Sequence, residues 1–192
     1  IVDEAVAEDF IAKLVARAQS LPLGDPRQGP VVLGSVVDMA TVERANRLIE
    51  DAVSKGARVL CGGKADSTLM PATLIDRVTP EMEIFREETF APVKAIVRVQ
   101  GEEQAIATAN DNEFGLAAAV YTRDIARGWR VAARIESGIC HINAPTVHDE
   151  AQMPFGGVKN SGYGKFGGQA GIDAFTETRW ISMQTEPRHY PF

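Results

Sequence analysis

The chain has 192 residues, 45% of them hydrophobic and 24% charged, enough for one domain that buries roughly two-thirds of its unfolded surface. A net charge of −6 argues against a nucleic-acid partner, which needs a basic face to displace phosphate counterions. No apolar run approaches the roughly 20 residues that span a bilayer, so no membrane partner is expected.

The opening IVDEAVAEDF is acidic where a signal peptide is basic, which points to the cytoplasm. It has no initiator Met, so translation is expected to begin before Ile1. Residues 3–20 have the spacing of an amphipathic helix, with Val6, Phe10, Leu14 and Ala18 on its inward stripe. Prolines and glycines then make a loop to Pro30. A second helix is expected over 41–55, with Val42, Ala45, Leu48, Ile49, Ala52 and Val53 inward and Gly56 as a left-handed stop. Strands follow at 58–61, 70–75 and 92–99, the last alternating apolar and polar. A helix over 101–110, a strand over 115–122 and a helix from an Asp124 cap to 135 come next. A strand at 138–143, a glycine-rich loop, a helix at 168–175 and a strand at 178–185 complete the series. Strands separated by helices imply an α/β fold, a largely parallel sheet flanked by helices.

Cys61 and Cys140 fit no disulfide or metal framework and are read as buried free thiols. Cys140 and His141 would point to opposite faces of a strand, so His141 cannot activate that thiol. His148, Asp149 and Glu150 are adjacent in a loop and cannot converge on one ion without distant ligands. They are read as a solvated turn, and no metal site is expected. Residues 162–167 satisfy G-x-G-x-x-G, but no strand is expected to lead into them, so they are rejected as a dinucleotide loop. Glu88, in an acidic turn ahead of a strand, offers only acceptors and would suit a sugar diol, although on local features alone a solvated turn is the better explanation. Residues 143–155 follow a strand, where α/β folds gather ligands. There Phe155 offers a flat aromatic face and Thr146 and Val147 a smooth wall.

Two motifs carry a wider reading: Glu87-Glu88-Thr89-Phe90-Ala91-Pro92-Val93, and the block from Met153-Pro154-Phe155-Gly156-Gly157 to Gly164. In this order they resemble the C-terminal part of the NAD(P)-dependent aldehyde dehydrogenase superfamily, and the likeness runs the length of the chain. The 143–159 stretch and the PRHYPF ending look most like bacterial enzymes for aromatic aldehydes of the salicylaldehyde and vanillin type. The resemblance implies that Glu88 and Phe90 hold the nicotinamide ribose and ring of NAD or NADP. Ala91 stands where the family usually has Gly. It further implies that Thr146, Val147 and Phe155 line an aldehyde pocket. Residues 1–175 would be catalytic domain, and 176–192 a C-terminal oligomerisation strand joining a homodimer or homotetramer. In the family the nucleophilic cysteine, the base and the Rossmann half precede the equivalent of Ile1, so no catalytic residue is assigned here. The alternative is a self-standing binding or assembly module, with or without residual activity through Cys140.

Overall fold

A computed structural model describes residues 1–191. The chain divides into two compact units, Ile1–Asn112 and the residues from Glu113 onward, a division inside the span read from sequence as one domain. Three of the five strand pairings among the described residues are parallel.

In the first unit, β1 (Val2–Asp3) leads directly into α1 (Glu4–Gln19). One Asp3 oxygen accepts from the Ala5 N–H at 2.9 Å and caps the helix. The other accepts from the Gly101 N–H at 2.8 Å, at the start of α4 (Gly101–Asn110). Ala7, Ile11 and Ala18 are the buried face of α1, packed with Cys61, Leu74 and Ile96. That corrects the expected stripe, because Val6 and Phe10 are 58% and 45% exposed. The helix carries apolar residues on two adjoining stripes, and periodicity alone cannot say which one meets the core. In α2 (Met39–Ser54) the expected face is buried except for Val53, which is half-exposed. Asp38 caps it by accepting from the Thr41 N–H at 2.8 Å, and Gly56 follows at φ +99°, where a Cβ would be strained.

β2 (Arg58–Cys61) lies antiparallel to β3 (Thr73–Asp76), and β3 parallel to β4 (Val93–Ala95). The strand expected over 92–99 is broken after Ala95. Its second part, β5 (Arg98–Val99), pairs with β1 instead. α3 (Glu83–Arg86) is a single turn, too short to leave a periodic signature. All four residues of β3 are buried, among them Asp76. Its carboxylate accepts from Arg98 at 3.0 and 2.8 Å and from the Arg77 N–H at 2.8 Å. Burial draws the Asp76 carboxyl upward. The hydrogen bonds from Arg98 and Arg77 and their charges outweigh that, so the group titrates below its ordinary value.

In the second unit, β6 (Phe114–Gly115) pairs antiparallel with β9 (Val158–Lys159). β7 (Ala117–Val120), α5 (Ile125–Ala132) and β8 (Ile139–Ile142) form a βαβ unit with β7 and β8 parallel. Asp124 caps α5 as expected, accepting from the Arg127 N–H at 3.0 Å. β9 is a two-residue strand ahead of the glycine block, where sequence showed none. It runs antiparallel, and α6 (Gly168–Ala174) opens only after Gly167. The parallel strand–glycine–helix unit that would cradle a pyrophosphate is therefore not formed here. Residues 178–185 carry no strand, which corrects the expected terminal strand at the level of the single chain. A strand exists only when paired, and Trp180, Ile181 and Met183 are 92%, 73% and 86% exposed. No helix among the described residues is long and apolar enough to cross a membrane.

Candidate active-site elements

The sequence-derived site residues fall on both units: Glu88 and Phe90 on the first, Thr146, Val147 and Phe155 on the second. Each group has its own geometry.

Glu88 and Phe90 follow α3 in a turn that β3 and β4 anchor from below through the Thr73 N–H, which donates to the Pro92 carbonyl at 2.8 Å. Phe90 sits at φ +48° and is 73% exposed. A bulky residue in the left-handed region costs about 1–3 kcal/mol, and such strain gathers at ligand-binding positions. The Glu88 side chain is exposed and engages no partner among the described residues. An acceptor-only carboxylate beside an exposed aromatic face fits a ligand with paired hydroxyls and a flat ring. Across the turn, Arg44 of α2 donates to the Glu88 carbonyl at 3.0 Å and to the Thr89 carbonyl at 2.8 Å. Its guanidinium lies 5.8 Å from the centroid of the Phe90 ring.

On the second unit, β8 and the loop after it enclose a cleft of about 400 Å3, lined by residues that include Cys140, His141, His148, Met153, Pro154 and Phe155. Phe155 is fixed by a two-way backbone bridge to Phe166, both bonds 2.7 Å. Lys165 then donates to the carbonyls of Gly156 and Gly157 at 2.7 and 3.1 Å. Asn143 turns the chain off β8 at φ +58° while its amide bonds both ways with the Thr122 backbone at 2.9 Å. Phe155 thus borders the cleft. Thr146 and Val147 do not line it, and Val147 is 93% exposed.

The cleft also brings together two histidines that sequence spacing did not connect. His141 and His148 meet edge to face, centroids 5.5 Å apart. Among the described residues the buried His141 Nε2 has no hydrogen-bond partner. His148 Nε2 stands 3.6 Å from Glu150, and both side chains are about half exposed, as a solvated turn requires. Among the described residues no three metal-type side chains cluster closely enough to hold an ion. Cys61 and Cys140 are free thiols, Cys61 buried and Cys140 only partly so, which corrects the expected burial of both. That partial burial still pushes the Cys140 thiol up, away from the thiolate a nucleophile needs.

Arg44 and Lys165 escaped the sequence reading. Arg44 lies 44 and 45 positions from the carbonyls it holds, so no local pattern could reveal it.

A family described as "Aldehyde dehydrogenase family" matches residues 1–181. A vanillin dehydrogenase of Pseudomonas fluorescens is 53% identical over 191 residues, covering 100% of this chain and 40% of that protein. A crystal structure of a salicylaldehyde dehydrogenase from Pseudomonas putida G7 complexed with salicylaldehyde has a TM-score of 0.92 and 46% identity. That match covers 100% of this chain and 40% of the other. A Mycobacterium tuberculosis aldehyde dehydrogenase complexed with NAD+ has a TM-score of 0.85 and 31% identity over 92% of this chain and 37% of its own. The chain spans about 40% of the length of the curated relatives it matches.

Proposed function

The chain belongs to the aldehyde dehydrogenase family, and from that premise we propose that it forms part of an enzyme oxidising an aromatic aldehyde to its carboxylic acid with NAD+ or NADP+. In this reading Glu88 accepts hydrogen bonds from the nicotinamide ribose and Phe90 backs the ring. When bound, the dinucleotide accepts the hydride. Phe155, with Met153 and Pro154, supplies an apolar wall to the substrate ring, and Thr146 and Val147 belong to the outer rim. Neither cysteine suits the nucleophile. Cys61 is buried, its thiol 3.6 Å from the Ala72 carbonyl, and partial burial raises the Cys140 thiol above its ordinary value, against the thiolate form. The attacking thiolate therefore comes from outside residues 1–192, and residues 1–175 serve as its catalytic-domain partner. The exposed apolar run at 180–183 supports a role for residues 176–192 as the strand that joins copies of the enzyme. Free thiols favour a reducing cytoplasm.

The observation that carries the reading is the strained, exposed Phe90 beside the unengaged Glu88 carboxylate. A graft in which this chain replaces the matched segment of the Pseudomonas fluorescens vanillin dehydrogenase tests it by steady-state kinetics. Glu88→Gln is expected to raise KM for NAD+ about ten- to a hundredfold, the worth of charge-assisted hydrogen bonds, with little change in KM for vanillin. Phe155→Ala should do the reverse. Unchanged cofactor KM in Glu88→Gln would refute the cofactor assignment.

A further inference from the structure

Segment 81–90 is held by one stripe of α2 and its C-terminal cap residue Lys55, and the contacts run in opposite order along the two. Lys55 donates to the Glu81 carbonyl at 2.7 Å, and Asp51 accepts from the Glu83 N–H at 2.8 Å. Arg47 pairs with Glu83 and, at 3.0 Å, with Glu87. Arg44 ends the series on the Glu88 and Thr89 carbonyls. Residues 44, 47, 51 and 55 recur at helical spacing, so a rigid helix sets the path of the segment.

The members are unequal. The Arg47 pairs are about half exposed, and such pairs contribute little. Arg44 acts on the backbone itself. Two charge-assisted bonds from one planar guanidinium fix the carbonyls of two successive residues. The peptide planes leading into Phe90, the entry side of its φ of +48°, are thereby fixed. The same guanidinium lies over the Phe90 ring at 5.8 Å, within the roughly 6 Å range of a cation–π contact. Local hydrogen bonds from the Thr89 hydroxyl to Ala91 and Val93, at 3.4 and 3.3 Å, are long by comparison.

We propose that Arg44 is a positioning residue: it holds the turn carrying Glu88 and Phe90 in its strained conformation so that a dinucleotide's nicotinamide riboside meets an already formed surface. The proposal rests on the cofactor assignment of Glu88 and Phe90. Two measurements separate the claims. Hydrogen–deuterium exchange of this protein reads the turn without any ligand. Arg44→Met should speed exchange across 87–92 at least tenfold while leaving β3 and α4 protected, and Arg44→Lys, which cannot fork between both carbonyls, should fall between. In the graft, Arg44→Met should raise KM for NAD+ about tenfold, with KM for aldehyde and kcat at saturation unchanged. Exchange at the wild-type rate would overturn the proposal. So would a rise in aldehyde KM equal to that for NAD+, since that marks a general structural loss. If exchange rises and Glu88→Gln raises cofactor KM but Arg44→Met does not, the proposal fails and the cofactor assignment stands. If Glu88→Gln and Arg44→Met both leave cofactor KM unchanged, the assignment fails and the proposal with it.

Discussion

Asp76→Ala is expected to destabilise the first unit by about 3–5 kcal/mol, the usual cost of leaving one member of a buried ion pair behind. Asp76 is 2% exposed and the Arg98 side chain 12%. Removing the carboxylate strands a guanidinium that was desolvated on the assumption of a partner. Glu8 at 2.6 Å and Glu4 at 3.3 Å remain, but their side chains are 80% and 51% exposed. They compensate weakly, because water already screens them. Acid sensitivity has a definite sign. The Asp76 carboxyl is held below its ordinary value in the folded state, so its contribution is complete above the unfolded value of about 3.9. It fades as pH falls below that and through the folded pKa. Urea unfolding of wild type and variant, at neutral pH and at about pH 3, checks both statements. The two proteins should converge in acid, and a loss below about 1 kcal/mol at neutral pH would mean the pair is dispensable.

Gly138→Ala is the second large effect, and it acts on the second unit. A Cβ at Gly138 would lie 1.7 Å from the Gly156 carbonyl oxygen and 2.6 Å from the Lys165 ammonium. Backbone cannot yield as a side-chain tip can, so the segment carrying Phe155 must leave β8. Overpacking of this kind costs about 3 kcal/mol or more, and the Lys165 bonds to Gly156 and Gly157 would go with it. In the graft, KM for the aldehyde should rise more than KM for NAD+. Gly171→Ala is the control: a Cβ there meets nothing within 4 Å inside α6, and alanine should gain up to about 1 kcal/mol. Equal unfolding midpoints for Gly138→Ala and wild type would refute the close-approach account.

Elements with chemical punctuation were legible in the sequence. The bounds of β2 and α4 agree with expectation, and Asp124 stands where its carboxylate can accept from a free N–H group. What failed to show was set by distant partners. β1 and β5 pair across almost the whole first unit, and β9 finds β6 far upstream. Two residues carry no periodicity to announce either. The inward face of α1 was misread because Val6 and Phe10 are as apolar as the residues that are buried. The terminal strand was expected from the spacing of residues 178–185 and from the family likeness, which say what a segment could pair as, not that its own chain offers an edge. Among the site residues, Phe155 stood out by chemistry and position. Glu88 was one carboxylate among several until the family likeness singled it out, and Phe90 was named by that likeness alone. The φ of +48° at Phe90 and the Arg44 clamp became visible only in three dimensions.

The most direct test of the central claim is turnover by the grafted enzyme, followed as NADH formation with vanillin and with an aliphatic aldehyde of similar size. If this chain carries a working cofactor clamp and an aromatic substrate wall, kcat/KM for vanillin stays within about tenfold of the parent, a change of about 1.4 kcal/mol in barrier. Vanillin should also remain preferred over the aliphatic aldehyde. A graft that folds and assembles like the parent yet forms no NADH from either aldehyde would contradict the account.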